Sequence, residues 1–252
     1  MACPANALPM CRQQVPPARR EPVADSATRM TPERFQKIRE RLDRRQPDLT
    51  VLAENVHKSH NIAAVLRSAD AVGVFRVHAV SDDGEFRRHH MVSGGSGKWV
   101  PVALHDSTEQ ALGALRADGF RVVAAHPDDR ATDYRDYDYT QPTALLLGSE
   151  LDGISEYARG HADEFVRIPM EGMVASLNVS VATALILYEA RRQREAAGLY
   201  DQRRLDAQTY EHVLFEWTHP DIAHRCRERS LPYPAMTEDG DLAENPFARP
   251  PE

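Results

Sequence analysis

Apolar and polar positions follow two different periods between residues 49 and 200. Short continuous apolar runs predict buried strands, and segments with an apolar residue at every third or fourth position predict amphipathic helices. Strands are expected at 50–55, 76–80, 100–104, 120–125, 143–147 and 164–169, and helices at 62–72, 108–118, 155–160 and 179–197. This alternation indicates an α/β domain with a mainly parallel sheet and helices on both of its faces.

Further segments flank the predicted α/β domain of residues 49–200. Residues 30–48 contain a predicted helix, because Thr31 and Pro32 form a start signal and three apolar side chains follow in one stripe. Residues 201–252 predict another helix near 207–215, followed by Pro-rich and acidic sequence that we expect to be loosely ordered. Residues 1–29 carry five prolines and no apolar core, which predicts a flexible extension.

Composition excludes several classes of protein. No apolar run approaches the roughly 18 residues that a membrane helix needs, so no membrane partner is expected. The three cysteines form no CxxC pair, which indicates neither a disulfide framework nor a zinc site and fits the cytoplasm. Two histidine pairs, at 57/60 and 89/90, lack further ligands at a suitable spacing, so no metal is expected.

The net charge of −7 argues at first against a nucleic-acid partner. The charges are unevenly distributed, however. Residues 30–50 carry six basic against four acidic side chains, while four acidic side chains are concentrated at 238–244. The sequence is therefore compatible with a local basic face. Charge alone does not separate an RNA-binding surface from an ordinary solvated one.

Ligands of open α/β sheets bind beyond the carboxyl ends of the strands. That rule selects residues 57–61, 125–128, 148–153 and 168–178. No GxGxxG, GxxxxGK[ST] or GxSxG pattern occurs, which disfavours a dinucleotide fold, a nucleotide triphosphatase, a generic nucleotide-binding enzyme and a serine hydrolase.

The first stretch with unusual chemistry is 57–73. Asn61 is expected to open a helix as its N-cap, and Gly73 is expected to close it. Arg67 lies off the apolar stripe, beside small residues that would let a ligand come close. A surface ion pair for Arg67 and a simple cap for Asn61 are the common alternatives.

The second stretch, 145–154, is an apolar strand that breaks into Gly-x-Glu-x-x-Gly. Gly148 and Gly153 permit tight turns and a close approach of the backbone to a flat ligand. Glu150 between them is either catalytic or orients a neighbouring base, and a plain strand-to-helix turn would explain the glycines alone.

The third stretch, 168–180, reads IPMEGMVASLNVS and leads into a helix that is apolar almost all round, which predicts a buried helix. Ser176, Asn178 and Ser180 crowd its start, where free backbone N–H groups bind carboxylates. A cap requires one such residue, so three of them favour a ligand site over capping alone.

Taken together, the three stretches resemble the three motifs of the SpoU branch of the SPOUT methyltransferases. The family patterns N-x(5)-R, G-x-E-x-x-G and IPM-x-G-x(3)-SLN-x-S are all present. The similarity runs from about residue 30 to 200 and continues at 231–234. It is strongest, at 45–50 and 187–193, to the bacterial members that methylate the 2′-hydroxyl of guanosine 18 in tRNA.

The resemblance implies a deep C-terminal trefoil knot, a homodimer and S-adenosyl-L-methionine as the methyl donor. Carried over by position, the cofactor-binding residues are Ala125, Gly148, Ile168, Met170, Ser176 and Leu177. Ala125 departs from the Thr of a close relative, so a backbone contact to the cofactor would remain and a hydroxyl contact would not.

The resemblance also implies catalytic roles for Arg67, Asn61, Glu150, Ser176 and Asn178. Because arginine is not deprotonated in proteins, we interpret Arg67 as a fork that holds a phosphate and the forming alkoxide, with Asn61 and Glu150 placing it. Arg34, Arg41 and Arg67 are the expected contacts to tRNA; DNA is not an expected partner. Methylation of 23S rRNA or of another tRNA nucleotide remains an alternative, as does a non-catalytic RNA-binding protein on the same fold.

Overall fold

The computed structural model describes residues 30–80, 98–244 and 246–247. The predicted extension at 1–29 and the histidine pair at 89/90 lie outside these residues. The described helices are α1 (Pro32–Asp43), α2 (Ser59–Ala71), α3 (Thr108–Ala117), α4 (Glu156–His161), α5 (Val179–Ala196), α6 (Ala207–Thr218) and α7 (Pro220–Glu228). The described strands are β1 (Leu49–Glu54), β2 (Val77–Val80), β3 (Val102–His105), β4 (Arg121–Ala125), β5 (Thr132–Asp133), β6 (Thr143–Leu147) and β7 (Glu164–Arg167).

The seven strands form one sheet in the order β3-β2-β1-β6-β4-β7-β5, and every described pairing is parallel. Successive side chains of a strand point to opposite faces. Val51 of β1 accordingly joins the apolar cluster formed with α2 and α5, whereas Leu52 joins the cluster formed with α3 and α4. The prediction of a parallel sheet with helices on both faces is confirmed.

Helix α2 starts earlier than the sequence pattern predicts. It begins at Ser59 after Lys58, whose side chain makes no capping hydrogen bond, so Asn61 is a buried residue of the first turn and not the N-cap. Its other end is as predicted. Gly73, at φ +83°, donates to the carbonyl of Asp70 (3.0 Å), and Val74 donates to that of Ala69 (2.9 Å), which together form a Schellman motif.

Helix α5 was expected to be buried all round, and this is wrong. Its inner face packs on α2, but Val181, Leu185 and Tyr188 are exposed. These positions are spaced by four and three residues, so they form one apolar stripe on the surface of the helix.

The same helix carries a fully buried arginine at its carboxyl end. The Arg194 guanidinium donates to the Asp48 carboxylate (2.7 Å) and to the carbonyls of Tyr139 (2.8 Å) and Gln141 (3.0 Å). These partners lie just before β1 and β6, so Arg194 ties α5 to the amino ends of the two central strands.

The two ends of the described chain form a third apolar cluster. Phe35, Ile38 and Leu42 of α1 make the predicted stripe and pack against α6 residues including Leu214 and Trp217.

The sequence after residue 215 was expected to be loosely ordered, and this is also wrong, because helix α7 occupies Pro220–Glu228 and the irregular segment at 231–244 is packed. The segment packs on α1: Gly240 lies so close to Phe35 that an added Cβ would come within 2.4 Å of the ring, and the Gly240 carbonyl lies 2.8 Å from Nε2 of His219. The last part of the chain therefore covers the first helix.

Candidate functional site

A cavity of about 530 Å³ opens at the carboxyl ends of the central strands. Its lining includes Lys58 and the segments 125–127, 147–154, 166–168 and 175–179, together with Met170, Ala182 and Ile186. All four regions selected by the strand-end rule thus meet here. Every residue predicted to bind a cofactor lines this cavity: Ala125, Gly148, Ile168, Met170, Ser176 and Leu177.

The turn after β6 forms one wall of the cavity. Ser149 and Gly153 exchange two backbone hydrogen bonds (2.9 and 3.1 Å), which brings the chain back on itself within five residues. Gly148 is required there, because an added Cβ would come within 2.1 Å of the Gly153 carbonyl carbon. The tight turn places Glu150 at its tip, facing α2.

The start of α5 forms the opposite wall. Asn178 is the N-cap, and its side-chain oxygen accepts hydrogen bonds from the backbone N–H (2.8 Å) and the hydroxyl (2.6 Å) of Ser180. Ser176 is exposed and makes no side-chain hydrogen bond to another described residue. Asn178 therefore caps the helix, Ser180 is hydrogen-bonded to this cap, and Ser176 is available to a ligand.

Asn61 links the two walls. Its amide nitrogen donates to Oε1 of Glu150, and its amide oxygen accepts a hydrogen bond from Asn178 (3.1 Å). The contact arises because β1 pairs with β6, so that the loop after β1 lies beside the turn after β6, and because α2 packs on α5. One predicted residue from each of the three motifs thus belongs to a single hydrogen-bonded cluster at the edge of the cavity.

Arg67 lies outside this cluster. Its side chain is exposed and makes no hydrogen bond or ion pair with the described part of the chain. Arg67 follows Asn61 by six residues, about 9 Å along the helix and on a different face. The expected placement of Arg67 by Asn61 and Glu150 is therefore absent within one chain.

Some lining residues carried no sequence signal of their own. His126 lies close to the turn, since a Cβ added at Gly153 would be 3.7 Å from its ring. Burial and then the Arg159 charge lower the pKa of His126, so the ring is neutral at neutral pH. Lys58 and Arg167 also reach the cavity, and only the strand-end rule indicated their neighbourhood.

The predicted RNA contacts Arg34 and Arg41 are exposed on α1, seven residues apart and therefore on one face. Across the described residues, no three His, Cys, Asp or Glu side chains are grouped so that they could hold a metal ion. None of the described helices is both long enough and apolar enough to cross a membrane.

A parallel α/β sheet with a polar cluster beside a strand-end cavity defines the class of open-sheet proteins that bind a small molecule at this edge. The SpoU rRNA Methylase family model matches residues 48–188, and the model of the SpoU rRNA methylase C-terminal region matches residues 192–245. The chain belongs to the SpoU methylase family.

Its relatives include two bacterial enzymes named tRNA (guanosine(18)-2′-O)-methyltransferase. The Escherichia coli protein is 46% identical over 84% of this chain and 94% of its own length. The Thermus thermophilus protein is 52% identical over 74% of this chain and 96% of its own length.

Solved structures agree with the sequence relatives. The Aquifex aeolicus TrmH/SpoU tRNA modifying enzyme has a TM-score of 0.69 at 39% identity, and the match covers 75% of this chain and 97% of that one. The SpoU methyltransferase AviRb from Streptomyces viridochromogenes, in complex with the cofactor AdoMet, has a TM-score of 0.52 at 33% identity, over 61% and 62% of the two chains.

Proposed function

We propose that this chain is an S-adenosylmethionine-dependent tRNA (guanosine-18 2′-O)-methyltransferase that methylates a ribose hydroxyl in the D-loop of tRNA. The observation that carries the proposal is the cluster of Asn61, Glu150 and Asn178, which joins all three family motifs at the edge of one cavity. Relatives that bear this name align with nearly their whole length.

The cavity suits S-adenosylmethionine. Its volume of about 530 Å³ is that of a small-molecule site. Gly148 lets the backbone approach closely, and Ser176, just before α5, offers a hydroxyl that has no hydrogen-bond partner among the described residues. When bound, the sulfonium supplies an electrophilic methyl group with a good leaving group. Ser176 and Leu177 would hold it from one side, Ile168 and Met170 from another, and Ala125 through its backbone.

The protein's own residues must position the ribose and remove its proton. A ribose hydroxyl is a poor nucleophile at neutral pH, so proton loss has to accompany the attack. The Arg67 guanidinium forms no ion pair with a described residue and suits a nucleotide phosphate and the forming alkoxide; in this hypothesis that phosphate takes the proton. The cluster of Asn61, Glu150 and Asn178 fixes the two cavity walls, while Ser176 contacts ribose or cofactor.

The appendages and the assembly complete the proposal. We assign residues 49–200 to the methyltransferase domain, and residues 30–48 and 201–252 to RNA binding, since α1 and α6 share an apolar cluster separate from those of the sheet. The family's trefoil knot would shape the cavity. The exposed stripe of Val181, Leu185 and Tyr188 supports a homodimer through this region, and a tRNA substrate supports a location in the cytoplasm.

The test is mass mapping of ribose methylation in unmodified tRNA incubated with the protein and labelled S-adenosylmethionine. Methylation at guanosine 18 supports the proposal. Label at another tRNA nucleotide, or only in 23S rRNA fragments, would assign the same chemistry to another substrate. RNA binding without transfer to either RNA would identify a non-catalytic RNA-binding protein.

Arg67→Lys tests the proposed bidentate role of the Arg67 guanidinium. We expect kcat to fall by about 100-fold or more, because a point charge does not replace a bidentate donor at the developing alkoxide. The unfolding midpoint and the S-adenosylmethionine affinity should stay unchanged, because Arg67 is exposed and makes no hydrogen bond or ion pair with a described residue. Near-normal turnover of this variant would remove Arg67 from the reaction.

A further inference from the structure

A second cavity, of about 540 Å³, lies between α1, the carboxyl end of α2 and the end of α5. Four basic residues of α1 and its C-cap line it: Arg34, Lys37, Arg41 and Arg44. Their spacings of three, four and three residues place them on one side of the helix, next to the buried apolar stripe. Arg191 of α5 adds a fifth cation.

The floor of this cavity is apolar and aromatic. Ile38, Val72, Tyr200 and Trp217 are buried there, and Trp99 is half-buried. Trp99 meets the Trp217 ring edge to face at a centroid distance of 5.0 Å. The flexible, exposed Lys98 lies 5.0 Å from the centroid of the Trp99 ring.

Two of the five rim cations are paired, since Arg44 and Arg191 lie 3.3 and 3.5 Å from the Glu195 carboxylate. Arg45, the buried cation of this cavity, is bound by Asp70 (2.5 Å) and by the carbonyl of Val74 (2.9 Å). Arg34, Lys37 and Arg41, by contrast, form no ion pair with a described residue, and all three are exposed. A rim with unpaired cations over an aromatic floor complements a phosphate attached to an unstacked base.

The cavity adjoins the proposed catalytic face. Ala71 lines the cavity and is exposed, and Arg67 lies one helical turn before it on the same face of α2. Arg67 and Ala71 are about 6 Å apart along the helix. An RNA strand that presents a ribose to Arg67 would therefore pass close to the mouth of this cavity.

We propose that this cavity receives one unstacked nucleotide of the RNA substrate, near the methylated one. The base lies against Trp99 and the apolar floor, Lys98 moves aside, and the adjoining phosphates contact Arg34, Lys37 and Arg41. Enzymes that modify nucleotides commonly draw bases out of the stack, and aromatic side chains receive such bases whatever their sequence. This inference rests on the proposed function, because it takes RNA as the substrate.

The chain offers a direct optical test, because Trp99 and Trp217 are its two tryptophans. The full protein without methyl donor is titrated with an unmodified tRNA transcript, and tryptophan emission is recorded. We expect quenching in the wild type and in Trp217→Phe, and its loss in Trp99→Phe. Inorganic polyphosphate, which offers charge without bases, should leave the emission unchanged.

Affinity gives an independent measurement. Trp99→Leu should weaken tRNA binding by about fivefold or more, the effect of losing one base–aromatic stack. Arg41→Ala should weaken binding and reduce its salt dependence more than Arg39→Ala, which removes the same charge from the other side of α1. Unfolding midpoints identify any variant that is merely destabilised.

Equal quenching by polyphosphate, or quenching that persists in Trp99→Phe, would overturn the base pocket. So would unchanged tRNA affinity of a stably folded Trp99→Leu protein. The methylation assay on the same tRNA separates the two proposals: methyl transfer without any Trp99 effect refutes only the pocket. Base-dependent quenching without methyl transfer to any RNA refutes only the methyltransferase.

Discussion

Gly148 stands where β6 leaves the sheet and the backbone of Gly153 returns beside it. Gly148→Ala would force a methyl group to within 2.1 Å of the Gly153 carbonyl carbon, so the turn must open and the cavity wall must move. We expect S-adenosylmethionine affinity, measured by titration calorimetry, to fall by more than tenfold, about 1.4 kcal/mol.

Gly113→Ala is the matched control, because a Cβ there meets nothing within 4 Å and the residue lies inside α3. This substitution should raise the free energy of unfolding by roughly 0.5–1 kcal/mol and leave cofactor affinity unchanged. A folded Gly148→Ala protein that still binds S-adenosylmethionine like the wild type would contradict the role given to the turn.

At the residue scale, motifs predicted the members of the site but not their contacts. Asn61, Glu150 and Asn178 are identifiable in the sequence, yet Asn61 was predicted as a cap and lies buried inside the first turn of α2. Its real partners come from segments 89 and 117 residues away. Local rules cannot find such pairs, because strand order alone brings β1 beside β6.

At the scale of elements, β2 and β3 share a pair of histidines that the sequence did not reveal, His78 buried and His105 half-buried. His78 and His105 stack at 5.2 Å, and Nδ1 of His78 lies 2.9 Å from Nε2 of His105. Burial, then the charges of His105 and Arg76, lower the pKa of His78 to about 4 from 6.5. Burial also lowers the pKa of His105, against the pull of Asp106.

The unfolded chain therefore takes up a proton on His78 at a higher pH than the folded one does. The stability that the neutral pair contributes is complete above pH 6.5 and is lost as the pH falls towards 4. Between pH 6.5 and 4, the free energy of unfolding measured with urea should fall less for His78→Gln than for the wild type. Parallel curves for the two proteins would show that the pair does not titrate in this way.

Most element positions followed from periodicity, and the exceptions have physical reasons. Strand β5 has two residues, too few to show a period. The segment at 231–244 looks like a loop because Pro and acidic residues dominate it, but Gly240 permits close packing on Phe35. The outer face of α5 is apolar like a core helix, and sequence alone does not separate a core from a contact surface.

At the scale of the whole molecule, that outer face predicts the assembly. Leu185→Glu should convert a homodimer into monomers in light scattering and lower methyl transfer, because a charge would be buried in the contact. Leu231→Glu is the control for the measured mass: Leu231 is similarly exposed (45% against 39%) but lies in the C-terminal segment of 231–244. If the wild type and Leu185→Glu have equal masses, either the dimer contact lies on another surface or the protein is not a dimer.

The class of fold was predictable because buried parallel strands leave continuous apolar runs between helical stripes. The strand order β3-β2-β1-β6-β4-β7-β5 was not, because periodicity says nothing about which strands are neighbours. The cofactor and the RNA substrate followed only from the joint match of three motifs.

The packing of the last segment on the first helix also has a consequence for synthesis of the protein. Helix α1 leaves the ribosome long before Leu214, Trp217 and Gly240, the residues that cover its apolar stripe. At about 5–20 residues per second, α1 stays without its partners for roughly 10–40 s. Chaperones that hold nascent chains have this interval to bind Phe35, Ile38 and Leu42, and helix α1 reaches its mature position only after residues 214–240 have emerged.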